Sequence, residues 1–295
     1  MTIIHLTLHW KSINCRLFFI KIDVMKFRLL IALLSVFFAG GITGAQAQVE
    51  YGVFGGISIP NLSASGSENN PLNTGYSSRL GPDFGIISET HFTRLFSMES
   101  RIEYSAQGGK KDGMQAFPTP AVVAGYLQSQ GMTAPTYLYA NFKSEARLSY
   151  LRFPFLAKLG WNFGKMGHFR FSVGAGPFVG FLLSAKQVVS GNSKAYFDPE
   201  GQQPLPFGPQ SFDSTNNIRD QLHKANFGVD GNIGLAYVFG NKLVNKIFLE
   251  AGGNYGFVNI QKGSENGKNN TGAATLLLGY TYRFNLEDFR KKMRM

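Results

Sequence analysis

The chain is 295 residues long, carries a formal net charge of +11 and holds one cysteine, Cys15. A single cysteine excludes an intrachain disulfide and a cysteine-built zinc cluster. The basic balance comes without a Lys/Arg run inside the folded part, which points away from nucleic acid and toward an anionic membrane surface or plain solubility. Glycine at 35 residues, with 27 phenylalanines and 12 tyrosines, favours many strands and tight turns over a helical bundle.

The first 47 residues read as an address. Lys26 and Arg28 precede the apolar run LLIALLSVFFA, Leu29 to Ala39, and Ala45-Gln46-Ala47 closes the segment. A basic start, a short apolar core and an A-x-A end make a secretory signal peptide over 25–47. The run is about half the ~20 apolar residues of a membrane-spanning helix. Met25 is the natural start, so residues 1–24 read as an upstream extension of the reading frame. Cleavage after Ala47 removes five Lys/Arg and one Asp, which leaves a mature charge of +7 and no cysteine at the new end. The lack of a cysteine near the cut points away from a lipoprotein modification.

Eight strands follow, and period-two alternation marks them. They are expected at Tyr51–Ile59, Asp83–Phe92, Phe96–Gln107, Glu145–Trp161, Phe169–Ala185, Asn226–Phe239, Ile247–Ile260 and Ala273–Phe284. In the sixth, Phe227, Val229, Ile233, Leu235, Tyr237 and Phe239 share one face, and Asn226, Gly228, Asp230, Asn232, Gly234 and Ala236 share the other. In the fourth the alternation slips between Tyr150 and Leu151, which predicts a bulge there. Pro154 adds a second irregularity.

The connections after the odd strands are long (Pro60–Pro82, Gly108–Phe142, Lys186–Lys224, Gln261–Gly272). Those after the even strands are short (Thr93–Leu95, Asn162–His168, Gly240–Lys246). An even strand count with loops sorted this way is the pattern of an outer-membrane barrel with short periplasmic turns. Alternation alone does not say which face looks outward. Aromatic residues at strand ends, strands longer than the usual five or six residues and glycine on the polar face favour apolar side out over a soluble lipocalin-like barrel. Glycines make room in the narrow interior of an eight-stranded barrel. Glu99, Arg101, Glu103, Arg147, Arg152, Lys158, Arg170, Asp230, Glu250 and Arg283 are expected to pair across that interior. The fold predicted is an all-β, eight-stranded, antiparallel, up-and-down transmembrane β-barrel over 48–284, with a short basic periplasmic tail at 285–295.

YGVFGGISIPNL, YLRFPFLAKLGW, FSVGAGPFVGFLL, NFGVDGNIGLAY and the closing LLLGYTYRF together resemble the PorT-like outer-membrane β-barrel proteins of Gram-negative bacteria. The resemblance covers most of Tyr51–Phe284 and implies fold and location rather than an activity. The tail NLEDFRKKMRM departs from barrels that finish on an aromatic residue of the last strand, a place Phe284 fills here.

No catalytic, cofactor-binding or metal-ligating residue is predicted. His223, with Ser211, Asp213, Ser214 and Asp220 before it, is the only outer-side set with nucleophile, base and acid, and nothing in its spacing forces the residues together. His91 and His168 fall at the short-turn end. Gly174–Gly180, GAGPFVG, lies inside a strand and lacks the lysine of a phosphate loop, so lumen spacing is the expected role. Ala121–Leu127, AVVAGYL, is apolar for a loop and reads as a short helix folding over the barrel mouth or as a contact patch. Phe197–Asp213 reads as a mobile Pro/Gly segment, and Ser264–Gly272 is too poor in acids for a calcium loop. The function expected is a monomeric, non-enzymatic structural or adhesive scaffold, or an accessory of a secretion or surface system. Its expected partners are outer-membrane lipids and envelope proteins met through the outer loops, with no cofactor and no nucleic acid. The alternatives are a narrow pore and a lipid A-modifying enzyme.

Overall fold

The structure, a computed structural model, describes residues 48–64, 71–72, 74–164, 167–240, 243–263 and 267–284. The expected leader, the upstream extension and the tail lie outside the described residues. Eight strands make the barrel: β1 (Gln48–Ala64), β2 (Gly81–His91), β3 (Phe96–Pro118), β4 (Tyr137–Phe163), β5 (Phe169–Ser190), β6 (Ala225–Phe239), β7 (Asn245–Gly256) and β8 (Asn269–Phe284). Each pairs antiparallel with its sequence neighbours, and β8 returns to β1, with Tyr51 opposite Tyr282 and Ile57 opposite Leu276. The ring is closed. In lipid it has to be, because an open sheet edge there leaves backbone groups with nothing to bond. Among the described residues no helix is long and apolar enough to cross a membrane.

Side-chain direction settles what alternation left open. The phenylalanine face of β6 points outward, with Phe227 57% and Ile233 53% exposed, while Asn226 and Ala236 are buried. The same holds around the ring, through Val53, Ile86, Met98, Leu159, Val173, Leu249 and Leu278. Rings gather at two levels. At the short-turn end Tyr51 meets Phe284, Trp161 meets Phe171, and Phe169 meets Tyr237. Toward the long loops Phe84 stacks on Tyr104, while Phe153 meets Phe181 and Phe227 meets Phe257 edge to face. Along β6 the two levels are Phe227 and Tyr237. At ~3.3 Å per residue and a tilt of ~40° they stand ~25 Å apart, the height of the apolar band of an outer-membrane barrel.

Several expected boundaries move. Gly108–Pro118 and Tyr137–Phe142 are strand rather than loop, in a ladder that runs from Gly108 opposite Arg147 to Pro118 opposite Tyr137. The β3 arm shows little alternation because neither of its faces is fully covered, whereas on β4 Leu138, Ala140 and Phe142 bury one face. β1 runs past Pro60 to Ala64, β7 stops at Gly256, and β8 starts at Asn269. Asn269, Asn270 and Thr271 are buried. Asn270 Nδ2 donates to the Gly256 carbonyl at 2.9 Å, so these polar residues are ladder rather than loop.

The expected slip in β4 is a change of chemistry rather than of direction. Even-numbered residues face inward on both sides of it, from Ala146, Leu148 and Tyr150 to Arg152 and Lys158. The inner lining simply turns from apolar to charged. The true register shift lies one residue earlier, where Ser149 faces Ser184 and Tyr150 faces Leu182, so Leu183 of β5 is the extra residue. Around Pro154, which has no N–H to give, the ladders to both neighbours are interrupted.

Above the band, β3, β4 and β5 continue as a projecting sheet. Its flanks are covered by Ala195–Tyr196, which pairs with β4, and Ser214–Asn217, which pairs with β5. The Pro/Gly-rich segment expected to be loose has defined contacts. Asp198 accepts from the Gln202 and Gln203 amides at 2.8 and 2.6 Å, and Leu205 is buried. The helix α1 (Ala121–Ser129) forms at the hairpin tip and sets Tyr126 against Phe207, with ring centres 4.9 Å apart.

The inward glycines have the spacing role expected of them. A Cβ on Gly174 would lie 2.8 Å from Lys158 Cγ and from Asn232 Oδ1. On Gly176 it would strike the Phe155 carbonyl oxygen, which is backbone and cannot swing aside. Gly176→Ala is therefore expected to destabilise the barrel by about 1–3 kcal/mol, read as a lower urea midpoint for the loss of heat-modifiable migration. Gly231→Ala, with its nearest neighbour atom at 3.5 Å, should leave that midpoint unchanged.

Candidate functional site: the lumen and the mouth

The barrel interior carries three linked groups of charges. At the short-turn end Lys246 Nζ sits between Glu50 at 2.5 Å and Glu89 at 2.6 Å. Arg283 Nη2 and His91 Nε2 reach Glu50 at 2.7 and 2.9 Å. In the middle Lys158 bridges Glu99 and Glu250, both at 2.7 Å, and Arg101 contacts the same two carboxylates. Toward the mouth Arg152 pairs with Glu103 at 2.9 Å and with Asp230. Two guanidiniums also lie on rings that point inward, Arg101 over Phe54 at 5.1 Å and Arg152 over Phe178 at 4.2 Å. Burying ions costs several kcal/mol each unless partners restore what water gave. Here each buried acid of the middle group faces two cations.

Of the ten residues expected to form the network, eight join ion pairs inside the lumen. Arg170 lines it but bonds Asn162 Oδ1 at 2.9 Å and the Arg94 carbonyl at 3.2 Å instead of an acid. Arg147 is a correction. It lies on the outward parity above the band and pairs with Glu145 at 2.6 Å, half exposed. Glu50 and Lys246 were missed because each stands one residue outside an expected strand; extending the alternation finds Lys246, which shares the parity of Glu250. Glu89 and His91 fall inside the expected second strand, but Ser88-Glu89-Thr90-His91 carries no apolar alternation to say which side faces inward. Glu50, Glu89 and His91 are close enough together to suggest a cation site, but Lys246 and Arg283 already neutralise the carboxylates.

The lumen is filled at mid-height. Between the middle charges and an inner apolar cluster of Phe54, Ile87, Ala236, Phe248 and Leu277 the remaining space is about 10 Å³, roughly the room for one water. Higher up, a second cluster lies across the barrel: Leu62, Leu148, Tyr150, Leu182, Leu222 and Ile260 among its members. Leu222 and Ile260 come from long loops, and the bridge between Leu222 and Gln261 holds those loops together.

On this apolar floor sits a cavity of about 390 Å³. Phe117, Phe142 and Phe212 form one wall, with Phe142 and Phe212 stacked at 5.1 Å. Opposite lie Tyr76 and Ile218, which pack on the floor cluster. Lys111 enters from β3, donates to the Leu72 carbonyl at 2.8 Å and lies 4.5 Å above the Tyr76 ring. Burial pulls its ammonium down to about 8, because a charge loses water there without gaining an acid partner among the described residues. α1 does not line this cavity, so the helix is no lid over it.

The expected outer-side set does not assemble. His223 is exposed, and no hydrogen bond among the described residues joins its ring to Ser211, Asp213, Ser214 or Asp220. Asp213 instead holds the Gly191 amide at 3.0 Å and the Ser211 hydroxyl at 3.1 Å.

Comparison with known proteins adds a family. The profile described as outer membrane protein beta-barrel domain matches residues 44–262. Among solved structures the chain is similar to Ail, the attachment invasion locus protein of Yersinia pestis, at 12% identity over 80% of this chain and 98% of that one, TM-score 0.31. Neisserial surface protein A matches at 14% identity over 79% and 97%, TM-score 0.31. The outer membrane protease OmpT from Escherichia coli matches at 8% identity over 82% and 99%, TM-score 0.32. No curated protein matches. The chain belongs to the outer membrane protein beta-barrel domain family, and it is an outer-membrane β-barrel.

Proposed function

We propose that this outer-membrane barrel is a non-conducting, non-enzymatic scaffold at the cell surface, of the PorT-like kind, serving adhesion or a secretion or surface system. It would be exported by the leader at 25–47 and cleaved after Ala47, with the long loops facing out. The observation that carries the reading is the contrast between the two ends of the molecule. The lumen is blocked by paired charges and apolar clusters, while the β3–β4 hairpin stands far beyond the upper aromatic level and ends in α1. On α1, Val122 is 85% exposed, an apolar contact point that neither lipid nor the barrel covers.

Planar-bilayer recording of the mature protein tests the claim against the narrow-pore alternative. The expected record is membrane leak with no unitary steps, because the paired charges around Lys158 and Glu250 leave little room beside them. Reproducible steps of one size would overturn it.

A further inference from the structure

We propose that the mouth cavity is a ligand site and takes a small amphipathic carboxylate, an aliphatic chain of about eight carbons bearing one acid group, held by Lys111. The inference goes beyond the scaffold reading and does not depend on any protein partner.

Three observations lead to it. First, the shape and lining match a site rather than a packing gap. About 390 Å³ is within the range of small-molecule pockets, and its walls come from β3, β4, β5 and three long connections. Packing defects inside proteins are far smaller. At ~30 Å³ for a water-sized group, the volume holds roughly a dozen such groups, which sets the chain length.

Second, the lining is apolar at the base and mixed around the sides, where Gln115, Ser144, Gln187, Ser214, Gln221 and Gln261 stand among the phenylalanines. Leu62, Leu148, Leu222 and Ile260 form the floor, and the three phenylalanines form a wall. An alkyl chain laid there leaves water without leaving any polar group of its own unpaired.

Third, the charge is single and positive. Lys111 is the one charged side chain among the residues lining the cavity. Its ammonium has three donors, of which the Leu72 carbonyl takes one. The amides of Gln187 and Gln221 line the same space and can donate beside it. One lysine with neutral amides suits a monoanion. A phosphate would call for a forked arginine or several cations. A cationic amphiphile would meet the lysine as a like charge.

The test is calorimetry of the full chain in lipid nanodiscs titrated with octanoate, with octanol and octylamine as comparators and empty nanodiscs subtracted. Saturable binding of octanoate at one per barrel is expected, with octanol at least tenfold weaker and octylamine absent. Lys111→Met should weaken octanoate by roughly 10- to 100-fold, the value of a hydrogen bond to a charged group. It should leave octanol unchanged. Ala146→Phe, which fills the floor, should abolish both. Heat-modifiable migration of each variant reports that the barrel still forms. If Ala146→Phe fails that check, Lys111→Met and the octanol comparison decide. Octanoate heats equal to empty nanodiscs would overturn the site. Equal binding of octanoate and octanol, unmoved by Lys111→Met, would overturn the carboxylate assignment.

Discussion

Glu250→Leu is expected to lower the stability of the barrel by about 3–5 kcal/mol, the range for removing one partner of a buried ion pair. Glu250 is 3% exposed and accepts from Arg101, from Lys158 at 2.7 Å and from Asn232 at 3.4 Å. Leucine is about the right size for the space, so the loss is not a cavity effect. It arises because Arg101 and Lys158 are then left with Glu99 between them, two buried cations for one acid. The sign can be checked with a second change. Lys158→Met alone leaves Glu99 and Glu250 facing Arg101. Glu250→Leu with Lys158→Met removes one charge of each sign and should cost less than the two single changes added, by about 0.5–3 kcal/mol. The measurement is urea unfolding of the refolded protein in lipid vesicles, followed by the shift between folded and unfolded bands on an unboiled gel. A cost for Glu250→Leu below ~1 kcal/mol, or strict additivity, would mean that these charges are solvated and that the lumen is open to water. The filled-barrel reading, and with it the absence of conductance, would then fail together.

What could be read from the residues, and what could not, divides at the edges of the lipid band. Inside it each strand has two different solvents on its two faces, hydrocarbon and the packed lumen. The alternation of Phe227 through Tyr237 against Asn226 through Ala236 is therefore clean, and the eight-strand count and the sorting of loops follow from it. Above the band the β3 arm loses its two-sided contrast, although Leu138, Ala140 and Phe142 of β4 still bury one face. Lys110-Lys111-Asp112 and Met114-Gln115-Ala116 carry no two-sided pattern, so the hairpin looks like loop although its ladder runs without a break to Pro118. The other end hid its charges too, because Glu50 and Lys246 belong to the lumen but sit one residue outside the expected strands. Tyr150 and Leu148 misled in another way. They face inward but are apolar, and alternation read them as a slip. No local rule reveals an apolar floor inside a polar barrel, because its members, Leu62, Leu148, Leu222 and Ile260, meet only after the ring closes. The mouth cavity was hidden for that reason too. Tyr76, Lys111, Phe142 and Phe212 come from four separate stretches of the chain.

Ile233→Arg is expected to cost about 2–4 kcal/mol, the penalty for arginine on the lipid face near the bilayer midplane. Ile233 lies about midway between the aromatic levels marked by Phe227 and Tyr237. It is flanked across the ladder by Val173 and Ala251, and more than half of its surface faces outward. In an aqueous protein such a position is among the most forgiving, and an exposed isoleucine exchanged for arginine moves stability by no more than about 0.5 kcal/mol. The two solvents thus predict different outcomes for one substitution, and no packing argument intervenes, because the side chain touches little of its own protein. Depth supplies the control. Arginine at Val122, on the helix beyond the band, stays in water and should leave the unfolding midpoint where it was. Arginine at Phe227, at the upper aromatic level, should fall between the two, since the penalty fades toward the interface. A graded series Val122, Phe227, Ile233 therefore reports the position of hydrocarbon along β6. Equal stability of all three variants would place water on the phenylalanine face and remove the reason for the ring to span a bilayer.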